Sequence, residues 1–271
     1  MISALISAAL MAVATPTTTV ERPVTIPTSD GVTLSGTLTI PAGAGPHPAA
    51  VIVGGFGPDN RDGSLDGRGD VDYKTLAHNL ARRGVEVLRY DKRGIGRSGG
   101  SPLSWLDARP LATDAVAATR ALAALPGVDS SRVTLIGHSQ GGDLALQAAR
   151  TAPATRVVSL SAPGRPLNML PEVPGATADR LLARLVGGDV ARATLGRDPR
   201  IDAAAVRQPT LLVQGTSDRV VPISDLGLLL AARRAAGRPT STIRVPGAGH
   251  FLKVEGRVPA RVLNAIAAFA D

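Results

Sequence analysis

The chain has 271 residues, of which 44% are hydrophobic and 19% charged, values that are ordinary for a soluble globular protein of one large or two small domains. The absence of cysteine excludes disulfides, thiol catalysis and cysteine metal sites. The net charge of +8 comes almost wholly from arginines scattered along the chain without aromatic interleaving, which favours a solvated basic surface over a nucleic-acid partner. The histidines show no metal-ligand spacing, so we expect neither a metal nor a cofactor.

Residues 1–20 carry no charged side chain and include the apolar stretch MISALISAALMAVAT. This stretch resembles the apolar core of a signal peptide, with Ala12-Val13-Ala14 as its cleavage site, although no Lys or Arg precedes it. We expect export to the periplasm or the medium after cleavage near Ala14. The alternative is a cytoplasmic protein whose apolar arm packs on the domain. The stretch is too short to span a bilayer comfortably, so no stable membrane anchor is expected.

Residues 24–28 and 32–40 are β-rich and are separated by Ser29-Asp30-Gly31, which predicts a hairpin. Strand-like apolar runs and helical patterns then alternate along the chain. The predicted strands are 49–53, 85–90, 133–136, 157–160, 211–213 and 242–245, and the predicted helices are 73–83, 111–125, 142–150, 226–236 and about 258–269. This alternation predicts an α/β fold, a mostly parallel twisted sheet of about eight strands with helices on both faces.

Residues 165–207 break this alternation because they contain no strand pattern. They hold prolines, glycines and an amphipathic piece with Leu181, Leu182 and Leu185. We interpret them as a small helical cap inserted over the strand ends. The predicted organisation is an apolar arm or signal peptide at 1–20, followed by one domain at 21–271 that carries this cap.

The segment 132–149, RVTLIGHSQGGDLALQAA, places Ser139 in a Gly-x-Ser-x-Gly context between a strand-like and a helix-like run. A strand that turns abruptly into a helix exposes the serine hydroxyl at the carboxyl edge of the sheet, and small residues on either side avoid backbone collisions. The helix N-terminus behind it favours developing negative charge. The alternative is a surface serine in a glycine-rich connection. The flanking patterns favour a catalytic nucleophile.

A serine nucleophile needs a base, and that base needs an orienting acid. In LLVQGTSDRVVP, Asp218 comes just after an apolar strand, and in STIRVPGAGHFLK, His250 follows the last strand. The order Ser139, Asp218, His250 is the nucleophile–acid–base order of one fold class. A lone aspartate after a strand is more often a turn or helix-cap residue, and this remains the alternative for Asp218.

The other histidines are weaker candidates for the base. His138 precedes the serine and should point into packing, His47 opens a strand, and His78 lies on a helix.

Two glycine-rich loops follow predicted strands. In GGFGPDNRDG, residues 54–63, closely spaced glycines let the backbone approach a substrate oxygen, and we predict the Phe56 N–H as one oxyanion donor and the Gln140 N–H as the other. A phosphate loop would end in Gly-Lys-Ser/Thr, which this loop lacks. In RYDKRGIGRSGG, residues 89–100, we predict a structural ion pair between Asp91 and Arg93.

These motifs together resemble the α/β-hydrolase superfamily, most closely its bacterial serine esterase and serine aminopeptidase-like branch, over about residues 24–270. The resemblance implies hydrolysis of carboxylic esters through an acyl-enzyme, with a small-molecule ester as substrate. The alternatives are a peptidase or amidase with the same triad acting on a peptide-like substrate, and a noncatalytic binding protein of this fold. The sequence does not indicate acyl length, alcohol preference, natural substrate or oligomeric state.

Overall fold

The computed structural model describes residues 18–63, 72–171 and 175–271. Within these residues, eight strands form one sheet in the order β1-β2-β4-β3-β5-β6-β7-β8. The strands are β1 (Val20–Pro27), β2 (Thr33–Ile40), β3 (His47–Val53), β4 (Glu86–Tyr90), β5 (Val128–His138), β6 (Arg156–Leu160), β7 (Thr210–Gly215) and β8 (Thr240–Val245). The first two strands run antiparallel to their neighbours, and β4, β3, β5, β6, β7 and β8 are mutually parallel.

Helices cover both faces of the sheet. They are α1 (Tyr73–Ala81), α2 (Ala108–Ala123), α3 (Gln140–Ala149), α4 (Gly175–Val186), α5 (Gly188–Leu195), α6 (Pro199–Ala205), α7 (Ile223–Ala235) and α8 (Ala260–Ala270). Apolar side chains of α1 and α8 form one core with the sheet, and those of α2, α3 and α7 form a second core on the other face. The buried strands are rich in Val, Ile and Leu because both of their faces are covered. This architecture agrees with the predicted fold class.

The predicted element boundaries are mostly right to within a few residues, and β5 is the clearest exception. The sequence predicts a strand at 133–136, whereas β5 spans Val128–His138. Its first half contains mostly polar residues that are exposed or half-buried. This half therefore lacks the apolar pattern by which a buried strand is predicted. That half continues the strand because its first residue, Val128, pairs with His47 of β3.

The segment predicted as a cap contains α4, α5 and α6, and its described residues hold no strand. Leu182 of α4 and Leu195 of α5 pack against Leu106, which precedes α2, in a small cluster separate from the two main cores. The helical content matches the prediction. The cap boundaries, 165–207, and the arm at 1–20 stay predictions.

The predicted signal peptide lies almost wholly outside the described residues, which begin at 18. Among the helices of the described ranges, none combines the length and the apolarity needed to cross a bilayer.

Candidate active site

Ser139 lies at a sharp turn between the end of β5 and the first residue of α3. Its φ of 56° is in the left-handed region, which is strained for a residue with a side chain. The flanking glycines are required by close contacts. A Cβ on Gly137 would lie 2.0 Å from the Gly141 carbonyl oxygen, and a Cβ on Gly141 would lie 2.2 Å from that of Val53. The backbone therefore holds the half-buried serine in a fixed position at the tip of the turn.

His250 and Asp218 lie in the loops that follow β8 and β7, and they contact each other directly. The distance from His250 Nδ1 to Asp218 Oδ2 is 2.9 Å. Gln214 Nε2 donates to the same oxygen, and the N–H groups of Val220 and Val221 donate to Oδ1. With Nδ1 on the carboxylate, the neutral imidazole carries its proton there, which leaves Nε2 free to accept one.

Ser139 and His250 line the same cavity. No hydrogen bond links the Ser139 hydroxyl to His250 among the described residues; in structures without substrate, catalytic hydrogen bonds are often long and tighten only when substrate binds. The structure thus brings the predicted acid and base into contact and places the predicted nucleophile on the wall of the cavity that the base also lines.

The loop after β3, residues 54–63, lies directly against the nucleophile. A Cβ on Gly55 would come within 3.1 Å of Ser139 Cβ. The Gly55 N–H donates to the Tyr73 hydroxyl at 3.0 Å, so it is already engaged. The Phe56 N–H has no acceptor among the described residues, and Gln140 is the first residue of α3, where backbone N–H groups lack helical partners. These two groups are the ones predicted as oxyanion donors.

Two buried side chains, Tyr73 and His138, connect this loop to the loop that contains His250. These contacts are not predicted by the sequence pattern. His138 Nε2 is 3.0 Å from the His250 carbonyl oxygen and must donate to it, so Nδ1 accepts from the Tyr73 hydroxyl, 3.1 Å away. Burial, followed by the charge of His250, lowers the pKa of His138 to about 3, and burial raises that of Tyr73 far above its usual range. Both groups therefore stay neutral, and the chain Gly55–Tyr73–His138–His250 has fixed donors and acceptors.

A third missed residue is Lys92, whose ammonium donates to the carbonyl oxygens of Gly55 and Gly57. Its position two residues after a buried strand, in a chain with three lysines, was the available signal.

The predicted ion pair between Asp91 and Arg93 is wrong. Asp91 instead pairs with Arg61 of the loop 54–63, with 2.6 Å between Arg61 Nη2 and Asp91 Oδ2. Arg93 extends to α2, where it binds the buried Asp114 at 2.6 Å, and also reaches Asp30. The two side chains leave the loop towards different elements, so each finds a partner that is distant in sequence. Arg61 thereby anchors the far end of the loop 54–63.

The cavity has a volume of about 640 Å³ and is mostly apolar. Its wall includes the aromatic residues Phe56, Tyr73, Trp105 and Phe251. The rings of Phe56 and Trp105 meet edge to face with centroids 5.8 Å apart. Asp59 is the one carboxylate among the described lining residues. The described residues contain no cluster of three or more His, Asp or Glu able to hold a metal ion.

Comparisons with known proteins agree with the fold described above. A family profile described as "Serine aminopeptidase, S33" matches residues 70–195. Esterase EstD of Thermotoga maritima is 36% identical over 139 residues, which are 51% of this chain and 32% of that protein, so the chain spans about a third of that relative.

Two solved structures share the whole fold. The α/β hydrolase GrgF of Penicillium sp. sh18 superposes with a TM-score of 0.73 at 21% identity, covering 92% of this chain and 97% of that one. Esterase Pf2001 of Pyrococcus furiosus gives a TM-score of 0.70 at 18% identity, covering 93% and 90%. These likenesses confirm the predicted fold class. The family profile and the esterase relative agree with the predicted resemblance.

Proposed function

We propose that this chain, an esterase-like α/β-hydrolase, cleaves carboxylic esters through an acyl-enzyme formed on Ser139. The observation that carries the proposal is the shared cavity. There, a serine held at a strained turn shares the cavity wall with Phe56, whose backbone N–H has no acceptor among the described residues, and with an imidazole whose Nδ1 is bound to a buried carboxylate. These are the parts that acyl transfer to a hydroxyl requires.

In the proposed reaction, Ser139 Oγ attacks the ester carbonyl while His250 Nε2 accepts the hydroxyl proton. The negative charge that develops on the carbonyl oxygen is stabilised by the Phe56 and Gln140 N–H groups. His250 then gives its proton to the departing alcohol as the carbon–oxygen bond breaks. A water molecule, deprotonated by the same imidazole, attacks the acyl-enzyme and releases the acid and the free serine. Asp218 keeps the imidazole in the required tautomer throughout.

The alternative is an aminopeptidase, which the description of the matching family names. Such an enzyme needs carboxylates to hold the substrate ammonium. The described wall of the cavity offers Asp59 alone, and the positive charge of Lys92 acts on that carboxylate. An apolar wall whose one carboxylate lies near a lysine charge favours a neutral ester over a cationic peptide terminus.

The test compares hydrolysis of 4-nitrophenyl butyrate with that of amino-acid 4-nitroanilides, using the wild type, Ser139→Ala and Ser224→Ala. Ser224 is a matched control because it also lies at a helix start but does not line the cavity. We expect ester turnover by the wild type and Ser224→Ala, and a fall in kcat of about 10³ to 10⁶ in Ser139→Ala. Mass spectrometry of quenched wild type should detect the butyryl group on Ser139. Unchanged ester turnover in Ser139→Ala would exclude the proposal, and faster anilide turnover would favour the peptidase.

A further inference from the structure

Lys92 is a buried lysine beneath the loop that carries the proposed oxyanion donor. It is the second residue after β4, and the residue is 6% exposed. Its ammonium donates to two carbonyl oxygens, those of Gly55 and Gly57, one on each side of Phe56. The lysine stem also lies close to the loop backbone, because a Cβ on Gly54 would be 3.3 Å from Lys92 Cε.

The planarity of the peptide bond gives these contacts a consequence for Phe56. In a trans peptide, the carbonyl of one residue and the N–H of the next point in opposite directions. A Gly55 carbonyl held by Lys92 therefore forces the Phe56 N–H to point away from the lysine. The adjacent Gly55 N–H is bound to the Tyr73 hydroxyl, so both peptides flanking Gly55 are fixed. Phe56 is 45% exposed, so burial of its side chain contributes little to this orientation.

We propose that Lys92 is a positioning residue of the oxyanion site. By holding the Gly55 and Gly57 carbonyls it aims the Phe56 N–H at the place where negative charge develops, and its ammonium adds a positive potential there. The inference rests on the proposed ester hydrolysis. Lys92 acts through the loop and does not touch the substrate.

The surroundings of Lys92 make this role dependent on pH. Burial lowers the pKa of Lys92 to about 8, and the nearby Asp59 opposes that shift. Burial raises the pKa of Asp59, with the charge of Lys92 acting against it. Among the residues that the structure describes, two further titratable groups lie against this region, Tyr73 of α1 and His138 of β5, and both are neutral. As pH rises through about 8, Lys92 loses its proton, and the two carbonyls keep only the weaker donors of a neutral amine.

The experiment compares the wild type with Lys92→Met, which keeps the length of the side chain and removes the ammonium, and with Lys74→Met. Lys74 is a matched control on α1 with a side chain 54% exposed. The measurements are kcat and KM for 4-nitrophenyl butyrate from pH 6 to 9.5, and inhibition at pH 7 by butylboronic acid, whose serine adduct carries a negative charge in the oxyanion site.

We expect Lys92→Met to lose about 10² to 10³ in kcat, the usual effect of removing one oxyanion donor, with KM changed by less than about threefold. Boronic acid inhibition should weaken while KM stays level. In the wild type and Lys74→Met, kcat should fall above pH 8, and this alkaline fall should be absent in Lys92→Met. A purely structural role for Lys92 would not produce that difference in pH profile.

Lys92→Met with kcat within fivefold of an active wild type, or with the same alkaline fall, would overturn the inference alone. A wild type without ester turnover would overturn the proposed function and this inference with it. If Lys92→Met does not fold, the wild-type profile decides, because a level kcat from pH 7 to 9.5 contradicts the role given to the ammonium.

Discussion

His138 and His250 lie side by side, with ring centroids 4.9 Å apart, yet their chemical environments differ. Both nitrogens of His138 are hydrogen-bonded within the protein, and its low pKa keeps it neutral. One nitrogen of His250 is hydrogen-bonded to Asp218, and its other nitrogen has no partner among the described residues. A base must have a nitrogen free to accept a proton. His250 meets this requirement, whereas His138 does not and is a structural residue.

The same substitution at these two positions should have different effects. We expect His250→Phe to lower kcat for 4-nitrophenyl butyrate by at least about 10³, since the proposed base is lost. His138→Phe leaves the Tyr73 hydroxyl proton without an acceptor and the His250 carbonyl without its donor, which costs about 1 to 3 kcal/mol of stability. It should lower Tm by several degrees and kcat by less than about 10²-fold, since the base itself remains. Steady-state kinetics and thermal unfolding of both variants provide the measurements. Equal losses of kcat at intact Tm would contradict the assignment.

At the scale of single elements, helix α4 combines a buried face and an exposed apolar face. Leu182 packs into the small cluster with Leu106 and Leu195, whereas Leu181 and Leu185 are 58% and 55% exposed. Both exposed leucines line the cavity that holds Ser139. Exposed apolar side chains grouped at a cavity are typical of a surface that binds an apolar ligand. The helix therefore offers a place for the acyl chain of an ester.

Replacing Leu181 or Leu185 by Gln should weaken the preference for long acyl chains. Each methylene buried on apolar surface contributes about 0.8 kcal/mol, so losing contact with one or two methylenes should lower the ratio of kcat/KM for octanoate to acetate esters by about fourfold or more. Ile201→Gln is the matched control, because Ile201 is 62% exposed on α6 and does not line the cavity. The measurement is kcat/KM for 4-nitrophenyl esters of increasing length. An unchanged ratio in both leucine variants would show that the acyl chain lies elsewhere.

The elements that carry the site could be predicted because each leaves a local pattern in the sequence. Apolar runs predict the strands, and the glycines around Ser139 predict the turn. The partners of buried polar groups could not be predicted in this way. Asp91 binds Arg61, thirty residues earlier in the chain, because two loops meet at the sheet edge. Such contacts depend on distances of a few ångströms between strand ends. The hydrophobic periodicity of the sequence carries no information about these distances.

At the scale of the molecule, the parallel strands bring all parts of the site to one edge. The loop with Phe56 follows β3, Lys92 follows β4, Ser139 follows β5, Asp218 follows β7 and His250 follows β8. Carboxyl ends of parallel strands meet at the same edge, so five segments distant in sequence become neighbours. The sequence predicts this convergence from strand alternation, but strand order, with β3 between β4 and β5, is visible only in the structure.

The charge of the whole molecule should also influence which esters react fastest. A net charge of +8 creates a positive potential that raises the local concentration of anions, and salt screens it, with a Debye length of about 10 Å at 0.1 M. We therefore expect kcat/KM for an anionic ester, the 4-nitrophenyl monoester of succinic acid, to fall by about threefold between 20 and 300 mM NaCl. The neutral butyrate ester has nearly the same size and should change little, so it serves as the control. Parallel salt responses of the two esters would indicate that the arginine-rich surface does not influence the approach to this cavity.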